Sequence, residues 1–167
     1  GCSPDFNAWT GEVNPPPENR EQPRLRTAAG HLHIGWTEDM SLSNIQHIMN
    51  CRDLVKQLDW YLGAWSVLVD KDTSRRSLYG KAGACRYKPY GVEYRVLSNF
   101  WVLDPVMRLE TWNRMVSAIQ GMRSGYMPKL AQSVRTNWND KLIQSIRESS
   151  LDANVTTKFS FPIFDFQ

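Results

Sequence analysis

The residues best suited to chemistry lie between Arg75 and Trp101, in the run RRSLYGKAGACRYKPYGVEYRVLSNFW. Arg75, Arg76, Lys81, Arg86 and Lys88 precede a strand-like segment, Gly91-Val92-Glu93-Tyr94-Arg95-Val96-Leu97. A strand sends alternate side chains to opposite faces, so Glu93 and Arg95 share one face with Leu97, and Val92, Tyr94 and Val96 share the other. A carboxylate beside a guanidinium, below an Arg- and Gly-rich loop, is what a phosphate-and-metal site needs. A second pair lies upstream in AAGHLHIGW. Alternation puts His31 and His33 on one face and Leu32 and Ile34 on the other. Imidazoles facing the same way can ligate a metal or donate to phosphate. The plain alternatives are hydrogen-bonded histidines on a solvated strand and a same-face ion pair between Glu93 and Arg95. Arg75 and Lys81 also read as cations of an ordinary basic loop, and Tyr79, Tyr87, Tyr90 and Tyr94 read as packing residues.

The elements that must position these groups follow from periodicity and punctuation. Residues 1–27 form an irregular lead-in, broken by Pro4, by prolines 15–17 and by Pro23. A strand is predicted over Ala28–Trp36. A helix follows, with Ser43 and Gln46 at capping-box spacing. Its apolar residues Ile45, Ile48, Met49, Val55, Leu58 and Leu62 recur at three- and four-residue steps, and Gly63 stops it. Trp65–Val69 reads as a short buried extended segment before the turn at Asp70, Lys71 and Asp72. Asp104 and Pro105 begin another helix as N-cap and first residue, with Val106, Leu109, Met115, Val116 and Ile119 inward and Gly121 or Gly125 at its end. A third helix is expected from Pro128 to Arg147. Residues 151–167 form an aromatic tail, either an edge strand or an extended arm. Together these elements predict one α+β domain over residues 1–167, an antiparallel sheet with helices on one face and a cleft on the other.

Composition narrows the function classes. A chain of 167 residues can bury a substantial core. A net charge of +3 is too weak for a sequence-independent nucleic-acid binder, so no specific nucleic-acid partner is expected. The three cysteines are odd in number and widely spaced, which suits buried thiols in a reducing compartment. The sequence has no 18-residue apolar run and no signal peptide, so a cytoplasmic protein without a membrane span is expected. It also has no initiator Met, as a chain beginning partway through a longer protein would.

Three ordered motifs, GHLHIGW, LDWYLGAWSVLVD and RRSLYGKAGACRYKPYGVEYRVLSNFW, resemble the phage phiEco32-like carboxylate–amine ligases of type 2. These belong to the glutamine synthetase and glutamate–cysteine ligase superfamily. The resemblance runs from residue 1 to about residue 125. It implies a glutamine synthetase-like catalytic half, located in the host cytoplasm if phage-encoded. The implied reaction is ATP-dependent amide-bond formation between a small-molecule or peptide carboxylate and an amine, through an acyl phosphate, with Mg²⁺ as metal. By the same resemblance His31 and Glu93 are metal ligands, and His33, Lys81 and Arg86 approach ATP. Arg76, Arg86 and Arg95 hold the substrate carboxylate or its developing phosphate. The family also carries an upstream strand with paired glutamates, and no ExE strand occurs here. The chain is therefore expected to be the C-terminal portion of a ligase domain, completed by an N-terminal half or in a homo-oligomer. The alternative expectation is a non-catalytic ligase half that binds a phosphate, ligand or partner.

Overall fold

The computed structural model describes residues 5–14, 28–70, 75 and 79–125. Their architecture is α+β. Four strands, β1 (Phe6–Asn7), β2 (Leu32–Gly35), β3 (Ala84–Lys88) and β4 (Gly91–Tyr94), form one antiparallel sheet in the order β1-β3-β4-β2. The stretch expected to be a loop ahead of β4 is thus partly its hairpin partner. Lys88 pairs with Gly91 across a two-residue connection, and Arg86 pairs with Glu93. Gly91 sits so close to β2 that a Cβ there would stand 2.1 Å from the carbonyl oxygen of Ile34. The predicted lead-in also contains β1, held by pairing with β3 rather than by any local pattern.

One face of the sheet is apolar. Val92, Tyr94, Val96 and Cys85 are fully buried on or beside it, and Leu32, Ile34, Phe6 and Tyr87 pack at its margin. Leu97 is buried too, instead of sharing a face with Glu93 and Arg95. The pairing with β3 runs one residue past β4, with the Arg95 N–H donating to the Ala84 carbonyl at 2.9 Å, and Val96 and Leu97 beyond it are both buried.

A long helical rod covers this face. It comprises α1 (Ile45–Leu58), a π-helical turn (Asp59–Gly63) and α2 (Ala64–Val69). Three expectations are corrected here. The N-cap is Asn44, whose side chain accepts from the His47 N–H at 3.0 Å, while Ser43 bonds to Ser41. Gly63 does not stop the helix, and Trp65–Val69 is helical, not extended. Gly63 instead permits close packing, since a Cβ there would lie 2.9 Å from Tyr94 Oη and 3.2 Å from Asp59 Oδ1. The buried side of α1 is His47, Cys51, Leu54, Val55, Gln57 and Leu58, whereas Ile45 and Met49 face solvent.

The rod is pinned to the sheet through Asp59. This buried carboxylate accepts from Tyr94 Oη at 2.8 Å, from the Gly83 N–H at 2.7 Å and from Trp9 Nε1 at 2.6 Å. A buried carboxylate is tolerated only when so satisfied, and here it ties the rod to β4, to the turn before β3 and to the chain after β1.

The last described helix, α3 (Pro105–Arg123), begins as its sequence predicts. Asp104 Oδ1 accepts from the N–H groups of Val106 and Met107, with Pro105 in the first turn. It packs on the rod with Thr111, Ser117, Ala118 and Gly121, small residues that allow close approach. Val106 and Leu109, expected inward, are exposed, as is Trp112. The predicted third helix from Pro128 and the tail at 151–167 lie outside the described residues. Among the described residues no helix is long and apolar enough to cross a membrane.

Candidate functional site on the polar face of the sheet

The opposite face of the sheet is charged. Antiparallel pairing sets His33 across from Glu93 on one side and Arg86 across from Glu93 on the other. Residues two apart on these strands join the same face, which adds Lys88 from β3, His31 just before β2 and Arg95 just after β4. Asp5, immediately before β1, completes the group from the far edge.

Glu93 is the hub. Its side chain is only 5% exposed, yet His31 Nδ1 lies 3.0 Å from Oε1, Lys88 Nζ lies 3.2 Å from Oε2 and Arg86 lies 3.8 Å from Oε1. Arg95 donates directly to Oε1. Arg95 also reaches His31 Nδ1 at 3.1 Å, and its Nε stands 2.8 Å from Asp5 Oδ1. Arg86 Nε lies 3.3 Å from the same Asp5 oxygen. Both contacts to Asp5 are close but poorly aligned for hydrogen bonding, so they act as charge contacts.

Three protonation equilibria record this environment. Burial alone would raise the Glu93 carboxyl, but hydrogen bonds from Arg95 and Lys88, together with their charges, hold it below its ordinary value. Burial lowers His31 to about 4, the Arg95 charge adds to the effect, and Glu93 opposes it. His31 is therefore a neutral imidazole at physiological pH. Asp5 is raised because its burial outweighs the attraction of Arg95 and Arg86.

The residues singled out from sequence fall into groups. His31, Glu93, Arg86 and Arg95 come together in direct contact. His33 shares their face but is exposed and hydrogen-bonds the Tyr90 hydroxyl instead. Lys81 is exposed on the turn before β3 and forms no ion pair with another described residue. Arg76 lies outside the described residues. Arg75, read as a loop cation, is buried, and donates to the carbonyls of Val96 at 3.0 Å and Arg95 at 3.3 Å, fixing the backbone that carries Arg95. Asp70, read as a turn residue, accepts from Ser98 at 2.7 Å.

Two members of the site were given no role from sequence: Lys88, named only among the cations ahead of β4, and Asp5, not singled out at all. Lys88 follows from Arg86 by simple alternation once 84–88 is read as a strand. Asp5 carries no local signal, because β1 is only two residues long and its partner strand is far away in sequence.

The donor set bears on what the site can hold. Mg²⁺ takes near-octahedral oxygen ligands. Among the described residues no group of three or more His, Cys, Asp and Glu could hold a metal ion. The one carboxylate at the hub is already shared by Arg95, Lys88 and Arg86. Two unit charges 4 Å apart near a protein surface interact by about 4 kcal/mol, and a divalent ion doubles the repulsion from each neighbouring cation. These residues do not fit a resident Mg²⁺. Their three cations fit anionic oxygens, which guanidinium groups can engage two at a time.

An α+β sheet with one face packed under helices and the other bearing a Glu-centred cluster of cations and a neutral histidine defines a candidate anion-handling site. The chain belongs to the phage phiEco32-like COOH.NH2 ligase-type 2 family, whose model matches residues 27–122. That span contains every cluster member except Asp5. No curated protein and no solved structure matches the chain.

Proposed function

We propose that the chain takes part in ATP-dependent joining of a carboxylate to an amine through an acyl phosphate, with the polar face of the sheet holding the reacting anions. The carboxylate oxygen attacks the γ-phosphorus of ATP and ADP leaves. The amine nitrogen then attacks the acyl carbon, inorganic phosphate departs and the nitrogen loses a proton. In this reading Arg86, Lys88 and Arg95 offset the charge on carboxylate and phosphoryl oxygens, the contribution that preorganised donors make to such transfers. His31, kept uncharged by burial and by Arg95, is a weak base. In this reading it lines the site as a neutral imidazole, and the amine proton passes to the departing phosphate or to water. His33 and Lys81 stand further out and would reach the nucleotide, not the acyl carbon. Mg²⁺ would arrive with ATP, held by phosphate oxygens.

The observation that carries this reading is the convergence of Arg86, Lys88, Arg95 and His31 on Glu93, in a chain of a ligase family. Hydroxylamine tests it, because it traps acyl phosphates as hydroxamates. With ATP, Mg²⁺ and a panel of small and peptide carboxylates, hydroxamate should form in step with ADP, and Arg95→Met should lower the rate by at least about 100-fold. No hydroxamate and no ADP from a folded chain with any carboxylate would count against catalysis. It would favour the second reading, an anion- or partner-binding ligase half, which the small number of possible metal donors among the described residues supports.

A further inference from the structure

We infer that Glu93 is a positioning residue rather than a metal ligand, and that this face of the sheet binds an oxyanion, phosphate or carboxylate, with no divalent ion held by the protein. The identity of the anion rests on the ligase reading; the role of Glu93 rests on geometry alone.

A carboxylate that ligates a metal presents at least one oxygen toward the ion and away from competing cations. Glu93 offers neither oxygen in that way. Oε1 receives Arg95, lies 3.0 Å from His31 and has Arg86 at 3.8 Å. Oε2 is met by Lys88 at 3.2 Å. Replacing these partners with a metal would leave two or three cations facing a divalent charge. Kept as they are, the same contacts hold three flexible side chains on one side of the sheet, each anchored from a different position. Arg86 and Lys88 come from β3 and Arg95 from the end of β4, with Glu93 between them. Without Glu93, Lys88 would regain its rotamer freedom, and Arg86 and Arg95 would be held less tightly, through Asp5 and, for Arg95, His31.

The arrangement carries a modest charge surplus. Arg86, Lys88 and Arg95 face Asp5 and Glu93, and His31 is neutral. Buried Arg75 adds a further positive charge beneath, close enough to help depress His31. A small anion with two or three oxygens, entering beside Lys88 and Arg86, meets donors already held in place. Of the five charged groups Lys88 is the most exposed, with its side chain 31% open, which marks the side from which such an anion enters.

The test uses the full chain and two probes, inorganic phosphate and acetate, titrated calorimetrically in EDTA and again in Mg²⁺. The expected result is saturable binding of at least one anion whose Kd is the same in both buffers. Arg95→Met and Lys88→Met should each weaken it at least about tenfold. Phosphate alone binding identifies a phosphoryl subsite, and acetate alone a carboxylate subsite; either result supports the inference. In parallel, Mn²⁺ is titrated by electron paramagnetic resonance with no anion present, and no saturable site removed by Glu93→Gln should be found.

The positioning role has its own readout. The protein has three histidines, so the His31 ring resonances can be assigned with His31→Gln. Glu93→Gln should leave the sheet folded but shift the titration of His31 and weaken anion binding at least about tenfold. If Glu93→Gln fails to fold, Lys88→Met and the Mn²⁺ titration of the unaltered chain still decide. Saturable Mn²⁺ binding lost in Glu93→Gln, anion binding seen only with Mg²⁺, or binding of neither anion would each overturn the inference. Anion binding in EDTA without hydroxamate formation would sink the ligase reading and leave this one standing.

Discussion

Removing the Asp59 carboxylate should loosen the attachment of the helical rod to the sheet. In Asp59→Ala, the Tyr94 hydroxyl and the Gly83 N–H, both buried, lose their acceptor, as does Trp9 Nε1. A buried donor left without a partner costs about 1–3 kcal/mol. Two such donors, plus the half-buried indole, bring the loss to about 3–6 kcal/mol, a large part of the 5–15 kcal/mol that typically stabilises a domain. Asp59→Asn keeps the shape and one acceptor oxygen, so its loss should be about 1–2 kcal/mol. Urea unfolding followed by tryptophan fluorescence measures both. At a urea slope of about 1–3 kcal/mol per molar, the alanine variant should unfold more than about 1 M earlier than the parent, or not fold at all. A midpoint for Asp59→Ala within experimental error of the parent would refute the claim that this carboxylate joins rod to sheet.

Stability should fall as the solution is acidified, and His31 fixes the window. Its folded value of about 4 lies below the ordinary 6.5, so the folded state takes up its proton later than the unfolded chain. The contribution is complete above about 6.5 and is lost as pH falls toward 4, amounting to about 2 kcal/mol once partial exposure is allowed for. Glu93, held low, acts in the same direction at still lower pH, and Asp5, held high, acts against it. Urea midpoints between pH 7 and 4 should therefore slope less in His31→Gln, and an unchanged slope would contradict this account. Gly63→Ala should cost about 1–3 kcal/mol, because the new methyl meets Tyr94 Oη at 2.9 Å; thermal unfolding by circular dichroism would show it. Asp104→Ala should cost about 1 kcal/mol through loss of the α3 cap, measurable in the same experiment, without altering anion binding.

The sequence made the polar face readable because its chemistry repeats every second residue. His31 with His33 and Glu93 with Arg95 follow the period of a pleated strand, and the sheet realises that alternation directly. β3 was harder to see. ACRYK is flanked by glycines and charges that read as a loop, and its strand character comes from pairing with β4 on one side and β1 on the other. The helix breaks down as a pattern for a different reason. Apolar spacing at three and four residues assumes one uninterrupted α-helix, and the π-helical turn changes the phase between Leu58 and Ala64. Ile45 and Met49 were misassigned because both faces of α1 carry apolar residues, and only the packed structure selects His47, Cys51 and Leu54 as the inner side. On α3, Thr111, Ser117 and Ala118 form the buried face through smallness, which hydropathy does not register.

The wide turn between α1 and α2 also takes up one residue of length without turning the two halves of the rod out of phase. Each α-helical residue advances the direction of its side chain by about 100°. Deleting one residue of Asp59–Gly63 would relax that turn into α-helix. Because a residue of the wider turn advances less than an α-helical one, four α-helical residues cover about the same angle as the present five, so both halves of the rod would keep their facing. His47, Cys51 and Leu54 would stay inward and Ile45 and Met49 outward, whereas a deletion within Ile45–Leu58 would turn the residues before it by roughly 100°. Substitutions along the rod test contacts one at a time, whereas a deletion inside the turn compared with one inside α1 tests whether the bulge absorbs the change in length.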